Sequence, residues 1–172
     1  MIRSLNVKTK ILNFEDISII KEIVKNNGVV AFPTETVYGL GTRYDSFLAY
    51  EKIFEAKNRP SNKVLTLMLY DINDIYKYAQ VSKKVKKVIE KFMPGALTIV
   101  LPLKNDVEII GTTNTIGIRV PDSKETLAFL KEIEIPMFVT SANLSNLPAA
   151  KSFEEVLEQL DGRIDVIVKG EI

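Results

Sequence analysis

The stretch 29–41, V-V-A-F-P-T-E-T-V-Y-G-L-G, constrains the fold of this chain more than any other. Its apolar run, residues 29–32, reads as a buried strand. Pro33 has no N–H to give a central ladder, so the chain must turn there. Thr34, Glu35 and Thr36 therefore collect at a strand end, and a short apolar patch follows that closes between Gly39 and Gly41. In α/β folds ligands sit in the crevice beyond the strand C-termini. The segment thus predicts both a buried strand and the place where small-molecule chemistry belongs.

Composition narrows that chemistry. With 172 residues the chain is read as one domain, residues 1–172. A chain of this length buries about 70% of its extended surface, enough for a substantial core. A net charge of +1 does not mark a nucleic-acid binder. The sequence has neither cysteine nor histidine. That excludes disulfides, thiolate or imidazole metal sites and Ser-His triads. Catalysis is left to Lys, Arg, carboxylates, hydroxyls, backbone amides or an oxygen-bound metal. No apolar run reaches membrane-spanning length and the start does not read as a signal peptide, so a cytoplasmic protein without membrane contact is expected.

Apolar spacing predicts strands at 5–9, 29–32, 65–69, 97–101, 115–120, 137–140 and 165–168. It predicts helices at 15–25, 46–56, 71–79, 82–92 and 124–131, and a capping-box pattern opens one at 152–160. Strands and helices alternate without a strict βαβ rhythm. The expectation is an α/β, α+β-like domain with a twisted, open, mixed sheet flanked by helices.

Four further segments could carry chemistry. Lys57-Asn58-Arg59-Pro60 follows the second helix, with Lys63 a third cation nearby. Arginine grips a phosphate through two N–H groups and lysine supplies a point charge, so these cations could converge on a triphosphate. The alternative is a solvated helix end, where cations complement the dipole. Residues 93–98, M-P-G-A-L-T, hold a glycine turn that either brings backbone N–H groups close to a ligand or simply links helix to strand. In residues 115–121, T-I-G-I-R-V-P, strand alternation puts Ile116, Ile118 and Val120 on one face and Thr115, Gly117 and Arg119 on the other. Arg119 then holds a ligand carboxylate, pairs with an internal Asp or Glu, or faces solvent. Thr140, Ser141, Asn143 and Ser145 crowd the end of another apolar strand, as donors to phosphate, ribose or adenine or as turn caps.

With these segments standing in this order, the chain resembles the threonylcarbamoyl-AMP synthases, the YrdC-like family, from about residue 17 to 168. The motifs that carry the resemblance are G-V-V-A-F-P-T-E-T-V-Y-G-L-G, I-F-E-A-K-N-R-P, P-G-A-L-T-I-V-L, I-G-I-R-V-P and T-S-A-N-L-S. The resemblance implies a YrdC-like fold with a deep basic cavity. It also implies a nucleotidyltransferase that joins L-threonine, bicarbonate or carbon dioxide and ATP into L-threonylcarbamoyl-adenylate, releasing pyrophosphate. Mg²⁺ would accompany ATP, and no protein side chain is assigned as a metal ligand. A partner complex would then transfer the group to an adenosine beside the tRNA anticodon. Carried over by motif, Lys57 and Arg59 are the catalytic cations. Lys63, Thr115, Ser141 and Asn143 join them in binding ATP, and Thr34, Thr36, Arg119 and Thr140 bind threonine.

The chain departs from the family at three points. Met68 stands where many members carry histidine, Ala96 replaces a proline, and the family's C-terminal tail is expected to be absent. Two rivals share the resemblance: a double-stranded RNA or tRNA-binding module using Lys83, Lys84, Lys86, Lys87 and Lys91, and a carbamoyl-adenylate-forming relative.

Overall fold

A computed structural model describes residues 2–60 and 63–172. The strands are β1 (Lys10–Asn13), β2 (Val30–Pro33), β3 (Tyr38–Arg43), β4 (Thr66–Met68), β5 (Ile99–Pro102), β6 (Thr115–Arg119), β7 (Met137–Ser141) and β8 (Val166–Lys169). They form one mixed sheet in the order β1-β8-β2-β3-β7-β4-β6-β5. The helices are α1 (Ile17–Lys25), α2 (Phe47–Lys57), α3 (Ile75–Tyr78), α4 (Lys83–Phe92), α5 (Lys124–Ile133) and α6 (Phe153–Leu160). The expected α/β architecture is therefore present. Among the described residues no helix is long and apolar enough to cross a membrane.

Strand alternation divides the core between two faces. On one, Val30, Phe32, Met68, Met137, Val139, Val166 and Val168 pack with Ile20 and Val24 of α1 and Phe129, Leu130 and Ile133 of α5. On the other, Leu40, Leu67, Ile116, Ile118, Phe138 and Ile167 pack with Ile53 and Phe54 of α2, Ile89 of α4, and Val156 and Leu160 of α6. Each such side chain contributes about 1.5–3 kcal/mol on burial. With Ile116 and Ile118 facing α2, Arg119 must face the α1–α5 side. There it lies in parallel register with Met68.

Two elements differ from the sequence reading. The predicted strand at 5–9 is absent, and the edge strand lies later, with Lys10 opposite Val166. Residues 7 and 9 are tied instead to the turn before β8, Val7 N–H to Gly162 O at 2.9 Å and the Thr9 hydroxyl to Ile164 O at 2.7 Å. The helix expected at 71–79 is a 3₁₀ turn, Ile72–Asp74, running into the single turn of α3. β3 was not anticipated as a strand. It closes a tight hairpin with β2, pairing Pro33 with Tyr38 and Phe32 with Gly39. Pro33 ends β2 as its chemistry requires, and its carbonyl accepts from the Thr126 hydroxyl of α5 at 2.8 Å.

Candidate functional site

The first cluster is built by the end of α2. Ser46 caps the helix start by accepting the Ala49 N–H. At the other end Asn58 takes a left-handed conformation, φ 51° and ψ 50°. Arg59 N–H reaches Phe54 O at 3.0 Å and Asn58 N–H reaches Glu55 O at 3.1 Å, the paired bonds of a Schellman turn. This reversal turns Lys57 inward, where it is only 2% exposed. Its Nζ donates to Ser141 O and to Asn143 Oδ1, the latter at 3.1 Å. Among the described residues no carboxylate meets it. Burial, aided by the nearby Arg59 charge, lowers its pKa from 10.5 to about 8. The reading of Lys57 as a solvated helix end is therefore wrong.

Asn143 holds this seat rigidly. Its carbonyl oxygen accepts from Lys57 and from the Ser141 hydroxyl, while its amide donates to Leu144 O at 2.8 Å and Leu147 O at 2.9 Å. Both lone pairs and both N–H groups are thus occupied. In this arrangement Asn143 caps the turn, as the alternative reading of the T-S-A-N-L-S segment required, and offers no free donor to a nucleotide. Arg59 donates to the Thr140 hydroxyl at 3.1 Å and lies over the Phe54 ring, 5.8 Å from its centroid. It borders a surface cavity of about 380 Å³ that Arg3, Asn58, Pro60 and Arg163 also line.

The second cluster sits on the β2–β3 turn. The Thr34 hydroxyl donates to Val37 O at 2.6 Å and accepts the N–H groups of Thr36 and Val37, which fixes the turn. The Thr36 hydroxyl lies 3.2 Å from that of Thr34, and its oxygen has a lone pair for Arg119. Arg119 Nη2 donates to that oxygen at 3.2 Å and to Glu35 Oε1, while its Nε donates to Gly95 O at 3.3 Å. The ion pair is largely enclosed, with side-chain exposures of 14% for Arg119 and 21% for Glu35. The internal-carboxylate alternative for Arg119 is the one seen. Gly95 N–H bonds Val120 O at 2.8 Å, so the 93–98 turn uses its glycine amide internally.

The two clusters are joined through the sheet, because Gly39 at the foot of the turn is in register with Ser141. Lys63 and Thr115 are not gathered with them: both are exposed and neither has a side-chain partner among the described residues. Met68 is buried beside Arg119 in the strand register. On α4, Lys83, Lys84, Lys86, Lys87 and Lys91 are all exposed. Glu35 and Arg163 were not anticipated as site residues. Glu35 had a signal: a lone arginine in an apolar strand needs a carboxylate, and one lay inside the polar turn.

Comparison with known proteins adds a lineage to this geometry. A family model described as Sua5_yciO_yrdC, telomere recombination, matches residues 22–172. A threonylcarbamoyl-AMP synthase of Bacillus subtilis is 41% identical over 152 residues, 86% of this chain and 44% of that protein. A putative threonylcarbamoyl-AMP synthase of Methanocaldococcus jannaschii is 33% identical over 162 residues, 94% of this chain and 74% of that protein. The crystal structure of P. abyssi Sua5 complexed with L-threonine superimposes with a TM-score of 0.85 at 31% identity, covering 96% of this chain and 50% of that one. The chain thus spans about half the length of the Bacillus and Pyrococcus proteins.

Proposed function

We propose, from the premise that this chain belongs to the Sua5–YciO–YrdC family, that it makes L-threonylcarbamoyl-adenylate from L-threonine, bicarbonate or carbon dioxide, and ATP. The observation that carries the reading is Lys57, a buried cation held, among the described residues, by neutral oxygens alone and lying beside a second cation, Arg59. A buried charge without a counter-ion is costly, and a polyphosphate supplies the missing negative charge. Arg119 and the β2–β3 turn supply a separate polar seat suited to an amino acid.

The chemistry asks little covalent help of a protein. The threonine nitrogen attacks carbon dioxide to give a carbamate. A carbamate oxygen then attacks the α-phosphorus of ATP, and pyrophosphate leaves. Positioning and neutralisation of phosphate charge carry such a step. Lys57 and Arg59 perform the neutralisation, Lys63 adds charge from outside, and Thr140 borders both ligands. Ser141 and Asn143 act by fixing Lys57, and Thr115, exposed at the start of β6, is given to the nucleotide by the family resemblance alone. Mg²⁺ enters with ATP, held through phosphate oxygens and water. The product would pass to a complex that modifies tRNA in the cytoplasm.

The test is mass spectrometry of the product formed from ATP, bicarbonate and L-threonine. Threonylcarbamoyl-adenylate is expected. Lys57→Ala and Arg59→Ala should each weaken ATP binding by about 1.5–3 kcal/mol. A carbamoyl-adenylate that forms from ATP and carbamoyl phosphate, with no product from threonine and bicarbonate, would support the carbamoyl-adenylate rival instead, and unchanged ATP affinity in both variants would remove the site assignment.

A further inference from the structure

The Arg119–Glu35 pair is incomplete on both sides. Glu35 Oε2 is buried and has no hydrogen-bond partner among the described residues. Arg119 uses Nη2 and Nε on Glu35, Thr36 and Gly95, and its Nη1 meets no protein acceptor among them. An ion pair built only for the fold would close as a two-pronged fork, because a buried carboxylate oxygen without a donor is unfavourable. Here an unused donor and an unused acceptor stand on neighbouring groups of opposite charge.

We infer that Glu35 is the binding residue for the α-ammonium of the amino-acid substrate, whose carboxylate the family resemblance already gives to Arg119 and for which Nη1 is the donor left over. An α-amino acid carries ammonium and carboxylate on one carbon, so it can answer Glu35 Oε2 and Arg119 Nη1 together while the Nη2–Oε1 contact persists. The assignment rests on the proposed function for the identity of that amino acid. It deepens that reading, because it makes the site selective for zwitterions: a hydroxy acid leaves Glu35 unanswered, and a simple amine leaves Arg119 unanswered. The Thr36 hydroxyl oxygen, accepting from Arg119 Nη2 at 3.2 Å, helps fix the guanidinium's orientation.

Calorimetry with L-threonine and with its desamino analogue, 3-hydroxybutanoate, tests the assignment. The wild-type chain should bind threonine more tightly on the order of 10–100-fold. Glu35→Gln should remove most of that preference while leaving ATP affinity unchanged, and Glu35→Asp should restore part of it. A wild-type chain that binds both ligands equally overturns the inference without any variant needing to fold. A preference that survives in Glu35→Gln also overturns it, while threonine binding itself keeps the proposed function standing. Threonine failing to bind the wild-type chain at all, with or without ATP, overturns both.

Discussion

At Lys57 a charge is buried without a counter-ion, and this makes the site respond to pH. Its pKa falls from 10.5 to about 8 on folding, chiefly by burial. Above about pH 10.5 the amine is neutral in both states, and below about pH 8 it is charged in both. Between these values the unfolded chain holds a proton that the folded chain lacks. Lys57 therefore favours folding at high pH, and that contribution is lost as pH falls from about 10.5 to about 8, up to about 3 kcal/mol. Urea unfolding of wild type and Lys57→Met should show it: only the wild type gains stability across that window relative to the variant. A polyphosphate reverses the preference by rewarding the charged form. ATP binding at pH 8.5 should thus take up protons, seen as a buffer-dependent calorimetric heat. Heats that do not vary with buffer would separate Lys57 from the phosphates. The K-N-R-P motif announced these cations, yet nothing local announced that Lys57 is enclosed by Ser141 and Asn143. Arg119 was legible as a residue needing a partner. Which partner was not, because Glu35 lies on a turn 84 residues away.

At the scale of elements, the helices were legible because their ends are written locally. Ser46, Ser82, Ser123 and Ser152 each accept the backbone N–H three residues on. The capping box before α6 forms in shifted fashion, with Glu155 accepting from Lys151 N–H at 2.6 Å. β3 was not legible, because Gly39 and Gly41 erase the alternation that marks a strand. Their absence of side chains is a packing requirement. A Cβ on Gly39 would stand 2.9 Å from Val139 Cγ1 and 3.5 Å from the Phe32 ring. Val139 is β-branched and stiff, so it yields little. Gly39→Ala should destabilise the protein by about 1–3 kcal/mol. Because Gly39 is in register with Ser141, the strain passes to the Lys57 seat, and ATP affinity should fall with stability. A variant as stable as wild type in urea would show that β3 and β7 have slack that this packing does not provide for.

At the scale of the whole molecule, order along the chain and order in the sheet diverge. β8 sits between β1 and β2, parallel to both, and β7 lies between β3 and β4. Strand pattern alone carries no such information, so the mixed sheet was legible and its order was not. One consequence is that residues near the end of the chain brace the phosphate side of the site. Arg163, in the turn before β8, donates from Nε to Ala56 O at 2.7 Å and from Nη2 to Glu55 O at 3.0 Å, carbonyls of the last turn of α2, the second shared with Asn58 N–H. Its Nη1 donates to Arg3 O at 2.6 Å. One planar guanidinium thus ties the start of the chain and the β8 approach to the helix end that aims Lys57 and Arg59. Arg163→Ala should destabilise the protein by about 2 kcal/mol or more, since several carbonyls lose a charged donor together. Arg163→Lys should recover only part of this, because an ammonium lacks the fork. The loosened helix end should weaken ATP binding more than threonine binding, because the Arg119 seat is built on β6 and the β2–β3 turn. Urea unfolding with calorimetry for each ligand checks both effects, and equal losses for ATP and threonine would mean that Arg163 supports the fold as a whole without aiming the phosphate cations.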